Sequence, residues 1–171
     1  MQPTDFSKYL TIFLTKYLPG ERGVSSNAIL AYRDSFVLLI KYMESIGVRV
    51  NKLTLGKLDQ KSVLSFLEWL QRERRVSAAT RNMRLSAIHS FFKYLQYHHP
   101  EHLQLSQEVL SIPMKKKETK IMNYLSIEGI KLLLEQINTA TQRGRRDLAL
   151  LSLMYDTASR VQEIIDLYPI S

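Results

Sequence analysis

The sequence predicts an all-α protein, because apolar residues recur at helical spacing in one segment after another. Most of these segments follow a serine or an aspartate, residues that accept hydrogen bonds from the free N–H groups of a first helical turn. Apolar residues make up 45% of the 171-residue chain, which is enough to bury a core. We therefore expect one ordinary helical domain, or a smaller one with part of another.

The composition excludes several classes of protein. The chain has no cysteine, so it has no disulfide, no thiolate nucleophile and no cysteine-ligated metal, and a reducing cytoplasmic location fits. We find no apolar run of about 18 residues for a membrane span, and the N-terminus lacks the pattern of a signal peptide. We expect no membrane association, no metal and no cofactor.

The charge favours an anionic partner. Lys and Arg number 24 against 16 Asp and Glu, a net charge of +8. Residues 1–111 carry 15 basic and 9 acidic side chains, whereas residues 112–171 carry 9 and 7. An anionic polymer is a credible partner for such a chain, and the positive excess lies mostly in its N-terminal part.

The first two predicted helices are well delimited. Residues Thr4–Leu18 show helical spacing, and Pro19-Gly20 is expected to end that helix. A second helix of about 20 residues should start at Ser25 or Ser26 and stop at Gly47.

Two further helices complete the predicted N-terminal domain, residues 1–111. After an extended passage, VRVNKLTL, Asp59 caps the third helix and Ser77 opens the fourth. Each carries an apolar face that we expect to be buried: Val63, Phe66, Leu67 and Leu70 on the third, and Leu85, Ile88, Phe91, Phe92 and Leu95 on the fourth.

Two arginines extend the buried face of the fourth helix toward its start. At 100° per residue, Arg81 and Arg84 continue that face where no apolar residue occupies it. This pattern suggests that the helix end protrudes past the core toward something negative, with Thr80 and Asn82 adding neutral contacts to phosphate or base edges. In the alternative interpretation, the arginine stems cover neighbouring helix ends.

The HHPEH run, His98 to His102, is more typical of a helix end broken by Pro100 than of a metal site. Residues 112–122 are polar and charged after a proline, and we interpret them as a linker. Within it, Lys115, Lys116 and Lys117 either follow a phosphate backbone or form an ordinary solvated surface.

Residues 123–171 form the third predicted region. A helix capped by Ser126 should run to about Ile137. Between Arg143 and Leu167, a first helix carries apolar residues so densely that most of its circumference should be buried. Those residues are Leu148, Leu151, Leu153, Met154 and Tyr155.

A second helix should follow, with Ser159 as N-cap and Gln162 completing a capping box. Arg160 then lies in its first turn. It belongs either to an anion site or to the solvated surface.

Three motifs resemble the tyrosine recombinases, the family of phage-type integrases and bacterial site-specific recombinases. SSNAILAYRDSFVLLIKYM, from Ser25, is similar to the family's entry into a long helix, with Ala28 where threonine is usual. SAATRNMRLSAIHSFFKYL, from Ser77, is similar to the last main helix of the core-binding domain. YLSIEGIKLLL followed by RRDLALLSLMYDTASRVQEIIDL resembles the start of the catalytic domain.

The resemblance implies a four-helix SAM-like core-binding bundle, a linker, and the first helices of a truncated catalytic domain. It makes Arg160 the first catalytic arginine and Glu163, one turn on, its supporting acid. It also implies that double-stranded DNA meets helices two and four, in agreement with Arg33, Arg81 and Arg84. In the family, a tyrosine attacks the DNA phosphate without metal or nucleotide.

Two departures limit what these 171 residues are expected to do. Ala158 stands where the family commonly has glycine, so a positive φ there would be strained. The family's later lysine, histidine, arginine and tyrosine have no counterparts, and Tyr155 and Tyr168 are expected to be core or interface residues. We therefore expect an inactive DNA-binding chain that is monomeric off DNA and meets other recombinase protomers on it.

Two other functions remain open at this point. The chain would also fit a non-catalytic regulator or competitor that occupies a recombination site. A helical adaptor whose basic face meets an acidic protein is the third possibility.

Overall fold

Eight α-helices make up most of the described part of the computed structural model, residues 2–116 and 124–167, and no strand occurs there. The chain divides into an N-terminal unit, Met1–Thr119, and a C-terminal unit, Lys120–Ser171. The N-terminal unit contains α1 (Asp5–Ile12), α2 (Ser26–Ser45), α3 (Gln60–Arg72), α4 (Ala78–His98) and α5 (Leu103–Leu110). The C-terminal unit contains α6 (Ile127–Glu135), α7 (Gln142–Thr157) and α8 (Val161–Ile165). The all-α prediction is confirmed.

The predicted starts of α2, α3 and α4 are also confirmed. Ser25, Asp59 and Ser77 each accept a hydrogen bond from the backbone N–H three residues on, at 3.4, 2.8 and 3.2 Å. Hydrogen bonds from the side chain and backbone of Ser62 hold the pKa of the Asp59 carboxyl below its usual value. The end of α2 is followed by Gly47 at φ 89°, a conformation that favours glycine.

The prediction that the first helix ends at Pro19 is wrong. Helix α1 passes directly into a π-helical segment, Phe13–Glu21, which contains Pro19. In an α-helix the proline ring would clash with the carbonyl four residues back, whereas a π-helix pairs residues five apart. The wider turn therefore lets the helix continue past the proline.

Two other local expectations also differ from the structure. The passage predicted as extended contains two short 3-10 turns, Val50–Lys52 and Leu55–Lys57. Helix α5 is not predicted from the sequence, because it is short and its buried face consists of Ser106 and Val109. Leu105 and Leu110 also pack against the core but are only partly buried, and eight residues are too few to establish a helical period.

The core of the N-terminal unit is aromatic. The buried faces predicted for α3 and α4 are confirmed at every residue. The Phe91 ring lies 5.4 Å from the rings of Phe13 and Phe36 and 5.9 Å from that of Phe6, centroid to centroid. These edge-to-face distances are favourable for aromatic pairs. Phe91 therefore joins α1, the π-helical segment, α2 and α4 into one core.

The C-terminal unit buries much less of its apolar surface. Among its described large apolar residues only Ile164 is buried, and the prediction that α7 is largely buried is wrong. Leu151, Leu153 and Tyr155 are 37%, 38% and 50% exposed. The small helices α6 and α8 do not cover the apolar residues on several sides of α7.

In the part of the chain that the structure describes, no helix is both long enough and apolar enough to cross a membrane.

Candidate nucleic-acid interface

Arg81 and Asn82 do not protrude from the start of α4. Each side chain is only 4% exposed. Arg81 was predicted to protrude together with Arg84, and for Arg81 this prediction is wrong. The Asn82 carbonyl oxygen accepts a hydrogen bond from the Lys115 N–H at 3.0 Å, and the Asn82 amide nitrogen donates to the Lys115 carbonyl at 2.7 Å. The side chain thus pairs with the backbone much as a neighbouring strand would.

The guanidinium of Arg81 has only neutral partners among the described residues. It donates to the Asn82 carbonyl oxygen at 3.2 Å and to the Pro113 carbonyl at 3.4 Å. Burial without a carboxylate lowers the pKa of Arg81, since the charged form is poorly solvated. Arg81 and Asn82 together form a clamp that ties residues 113–115 to the start of α4.

This clamp also changes the predicted linker. Ile112, its first residue, is 2% exposed and belongs to the core of the N-terminal unit. The next three residues are held by the clamp. The segment from Ile112 to Lys115 is therefore part of the packed N-terminal unit. The only local sign of this packing in the sequence is one apolar residue, Ile112, beside a proline.

Arg84 joins α4 to α2. Its half-buried guanidinium donates to the Ser35 hydroxyl at 3.0 Å and to the Ala31 carbonyl at 3.4 Å. Its Nε is buried without a hydrogen-bond partner among the described residues. Arg84 therefore has a structural role between the two helices that were expected to meet DNA.

The remaining predicted contacts are more accessible. Arg33, Lys115 and Lys116 are exposed, and Thr80 is half-buried, with its hydroxyl 3.2 Å from that of Ser77. The Lys115 ammonium donates to the Gln71 side-chain carbonyl at 2.6 Å. Lys117 lies outside the described residues.

In the described part of the N-terminal unit, residues 2–116, no lysine or arginine is paired with a carboxylate. In its described part, ion pairs join His98 to Glu21 at 3.6 Å and His99 to Glu101 at 3.5 Å, and none includes a lysine or an arginine. The excess positive charge is therefore available to an external anion.

Arg22 and Lys93 are functional candidates that the sequence patterns did not indicate. The fold brings both to one surface depression, beside Ser86 and Ser90. Arg22 lies outside the predicted helices, where periodicity assigns no face. Lys93 has a helical register, but register alone does not show that Arg22 lies opposite it.

In the C-terminal unit, Arg160 and Glu163 lie together. The Arg160 N–H donates to one Glu163 carboxylate oxygen at 2.8 Å, and the guanidinium donates to the other at 3.2 Å. Helix α8 begins at Val161 with Arg160 as its N-cap, so the predicted Ser159 cap is one residue too early. Glu163 supplies the carboxylate of the cap, and the Arg160 side chain is 87% exposed.

The residue before this turn has the strained backbone that the sequence led us to consider. Ala158 has φ 52° and ψ 23°, in the left-handed region. Tyr155, expected to be a core or interface residue, is 50% exposed in the described chain. Tyr168 lies outside the described residues.

The histidines near Pro100 pack against tyrosines. The His99 ring lies 4.1 Å from the Tyr9 ring, and the His98 ring lies 4.9 Å from that of Tyr94. Among residues 2–116 and 124–167, no group of three or more histidine, cysteine or acidic side chains is arranged to hold a metal ion.

Comparison with known proteins identifies the N-terminal unit. The profile of the phage integrase N-terminal SAM-like domain matches residues 13–98. The chain belongs to this family. The family resemblance is therefore confirmed, and the SAM-like match covers the π-helical segment and helices α2 to α4, which contain the first two motifs.

Individual relatives extend the similarity beyond the SAM-like domain. The protein y4rC of Sinorhizobium fredii, whose name gives it as an integrase/recombinase, is 35% identical over 92% of this chain and 48% of its own length. The tyrosine recombinase XerC of Herpetosiphon aurantiacus is 30% identical over 88% of this chain and 47% of its own length. The tyrosine recombinase XerD of Listeria monocytogenes is 26% identical over 88% of this chain and 48% of its own length.

The chain thus spans about half the length of the curated relatives it matches. No solved structure gives a significant match.

Proposed function

We propose that the N-terminal unit binds double-stranded DNA and thereby serves site-specific recombination by a tyrosine recombinase. The observation that carries this proposal is the unpaired positive charge of a SAM-like integrase domain. Lysines and arginines that form no internal ion pair can exchange solvent counterions for DNA phosphates without first breaking an ion pair. A partner of this kind is consistent with a cytoplasmic protein.

The accessible members of the predicted interface are the best candidates for phosphate contacts. Arg33, Lys115 and Lys116 are exposed. The clamp fixes the backbone of Lys115, so the backbone there loses little conformational entropy when the side chain binds. Arg81 and Asn82 then act by positioning this lysine, and Arg84 acts by holding α4 against α2.

Arg160 is proposed to bind a phosphate oxygen at the scissile position. Its planar, permanently charged donors suit a phosphoryl-transfer transition state. Glu163 orients the guanidinium through their 3.2 Å contact. One arginine cannot supply the nucleophile, so the 171-residue polypeptide alone is expected not to cleave DNA, to be monomeric off DNA, and to meet other protomers on it.

Duplex affinity measured against salt concentration tests the DNA-binding proposal. We expect a steep negative slope of log K against log salt, close to −0.9 for each phosphate contacted. Replacing Lys115 and Lys116 by alanine should make the slope less negative by about 2. Indifference to both DNA and salt would contradict DNA binding and favour the protein adaptor.

A nicked suicide duplex tests the expected lack of cleavage. The wild-type polypeptide and Arg160→Ala should both give no covalent protein–DNA product. An adduct formed by the wild-type polypeptide would refute this part of the proposal.

A further inference from the structure

A depression of about 280 Å³ lies on the surface of the N-terminal unit. It is bounded by the π-helical segment and the residue after it, by α2, by the part of α4 from Ser86 to Lys93, and by Met114. Two cations and four hydroxyl groups line it: Arg22, Lys93, Tyr17, Tyr32, Ser86 and Ser90. Its volume is at the lower limit for small-molecule pockets, so a single small polar group suits it better than a large ligand.

The charge of this depression is positive and uncompensated. Among the described residues, no carboxylate lines it, and neither Arg22 nor Lys93 forms an ion pair. Arginine offers two parallel donors to an oxyanion, lysine offers a compact charge, and hydroxyls can donate to a further oxygen. This donor set matches the two non-bridging oxygens of a phosphodiester group.

The imidazole of His89, which also lines the depression, contributes no positive charge at neutral pH. Burial lowers its pKa most strongly, and the nearby charges of Lys93 and Arg81 lower it further, against the effect of the hydrogen bond to Val109. The Nε2 atom lies 3.1 Å from the Val109 carbonyl, which fits a neutral ring donating from that nitrogen. The positive charge therefore comes from Arg22 and Lys93.

The depression continues along α4 toward the clamp. Ser86 also lines the adjoining depression, which contains Asn82, Met114 and Lys115. Ser86 and Lys93 are seven residues apart on one helix, a rise of roughly 10 Å. An extended polyanion lying along this face would therefore meet Lys115 at one end and Lys93 with Arg22 at the other.

We propose that Arg22 and Lys93 bind one phosphate group of the DNA backbone, with Ser86 and Ser90 donating hydrogen bonds to the same group. This inference rests on the proposed binding of duplex DNA by the N-terminal unit. It adds a contact from Arg22, which follows the π-helical segment and precedes α2, so that this turn and α4 hold the same phosphate.

The test is the double variant Arg22→Ala with Lys93→Ala, measured by fluorescence anisotropy with a labelled duplex over a range of salt concentrations. We expect affinity to fall about tenfold near ~0.1 M salt and the salt slope to become less negative by about 1, as for one lost phosphate. Because both side chains are exposed, the thermal unfolding midpoint should be unchanged. The variant Arg22→Lys with Lys93→Arg, which keeps both charges, should retain most of the affinity.

A charge-matched control is Lys57→Ala with Lys61→Ala, two exposed lysines that do not line the depression. This control should change the salt slope by less than half as much as the Arg22 and Lys93 double variant does. An equal effect in the control, or no loss in the Arg22 and Lys93 variant, would overturn the site. A wild-type chain that fails to bind the duplex at all would instead refute the proposed function itself.

Free inorganic phosphate is the other source of the same chemistry. With ionic strength held constant by chloride, phosphate should shift the NMR signal of the Lys93 amide far less than duplex DNA does. A shift at millimolar phosphate as large as the shift with DNA would assign the depression to a free anion and overturn the backbone contact.

Discussion

The two units differ in how completely they cover their apolar residues. In the N-terminal unit, the apolar faces of α3 and α4 are buried against neighbouring helices, and Phe91 is 0% exposed. In the C-terminal unit, α7 leaves Leu150, Leu151, Leu153 and Tyr155 exposed. Apolar periodicity thus predicts a helix correctly in both units, but burial also requires partner helices that can cover that face.

The two units also differ in the burial of two arginines that were both expected to bind phosphate. Arg81 is buried with neutral partners, whereas Arg160 is 87% exposed and paired with Glu163. The partner of Arg160 is three residues away; the family resemblance implies it, and helical spacing agrees with it. A partner of Arg81 is Pro113, 32 residues along the chain, which no local pattern can indicate.

The largest effect on this comparison should come from Phe91→Ala. Removing a buried ring that contacts several other rings should lower the free energy of unfolding of the N-terminal unit by about 3–5 kcal/mol. Urea unfolding followed by the fluorescence of Trp69, the chain's only tryptophan, measures this change. If the variant does not fold, Phe91→Leu should still cost about 1–2 kcal/mol.

The matched change in the C-terminal unit is Leu151→Ala. It should lower the free energy of opening of the α7 amides, measured by hydrogen exchange, by less than about 1 kcal/mol. Equal losses at the two positions would show that α7 is as well packed as α4, and the comparison would fail.

A smaller effect is expected from Asn82→Ala. The change removes both hydrogen bonds to the Lys115 backbone and one acceptor of the buried Arg81 guanidinium, and should cost about 1–3 kcal/mol. Hydrogen exchange of the Lys115 amide should accelerate more than exchange in the middle of α4. The exposed Asn27 supplies the control, since Asn27→Ala should leave both rates unchanged. A Lys115 amide that remains protected in Asn82→Ala would exclude the clamp.

The smallest effect should come from Ala158→Gly. Glycine adopts φ 52° without strain, and this gain in free energy exceeds the cost of the larger unfolded-state entropy of glycine. The last turn of α7 should therefore become more stable by up to about 1 kcal/mol. Ala149→Gly, in the middle of the same helix, should have the opposite sign and cost about 1 kcal/mol. Hydrogen exchange of the last turn of α7 measures both changes, and a loss of protection in Ala158→Gly would contradict the strain.

Features determined by residues a few positions apart could be predicted from the sequence. The caps at Ser25, Asp59 and Ser77, the buried faces of α3 and α4, and the Arg160–Glu163 pair are of this kind. The π-helical path past Pro19 could not be predicted, because proline normally ends a helix. The burial of Arg81 and the meeting of Arg22 with Lys93 depend on contacts between distant segments, which helical periodicity does not encode.

The burial of Ile112 and the ties at Lys115 have a practical consequence for dissecting the chain. A polypeptide ending at residue 111 would lose an apolar side chain that is only 2% exposed, together with the three hydrogen bonds that join Arg81 and Asn82 to Pro113 and Lys115. Arg81 would then keep its buried charge with fewer acceptors. A fragment of the N-terminal unit that keeps these contacts should therefore extend at least to Lys115, four residues beyond the boundary suggested by the sequence pattern.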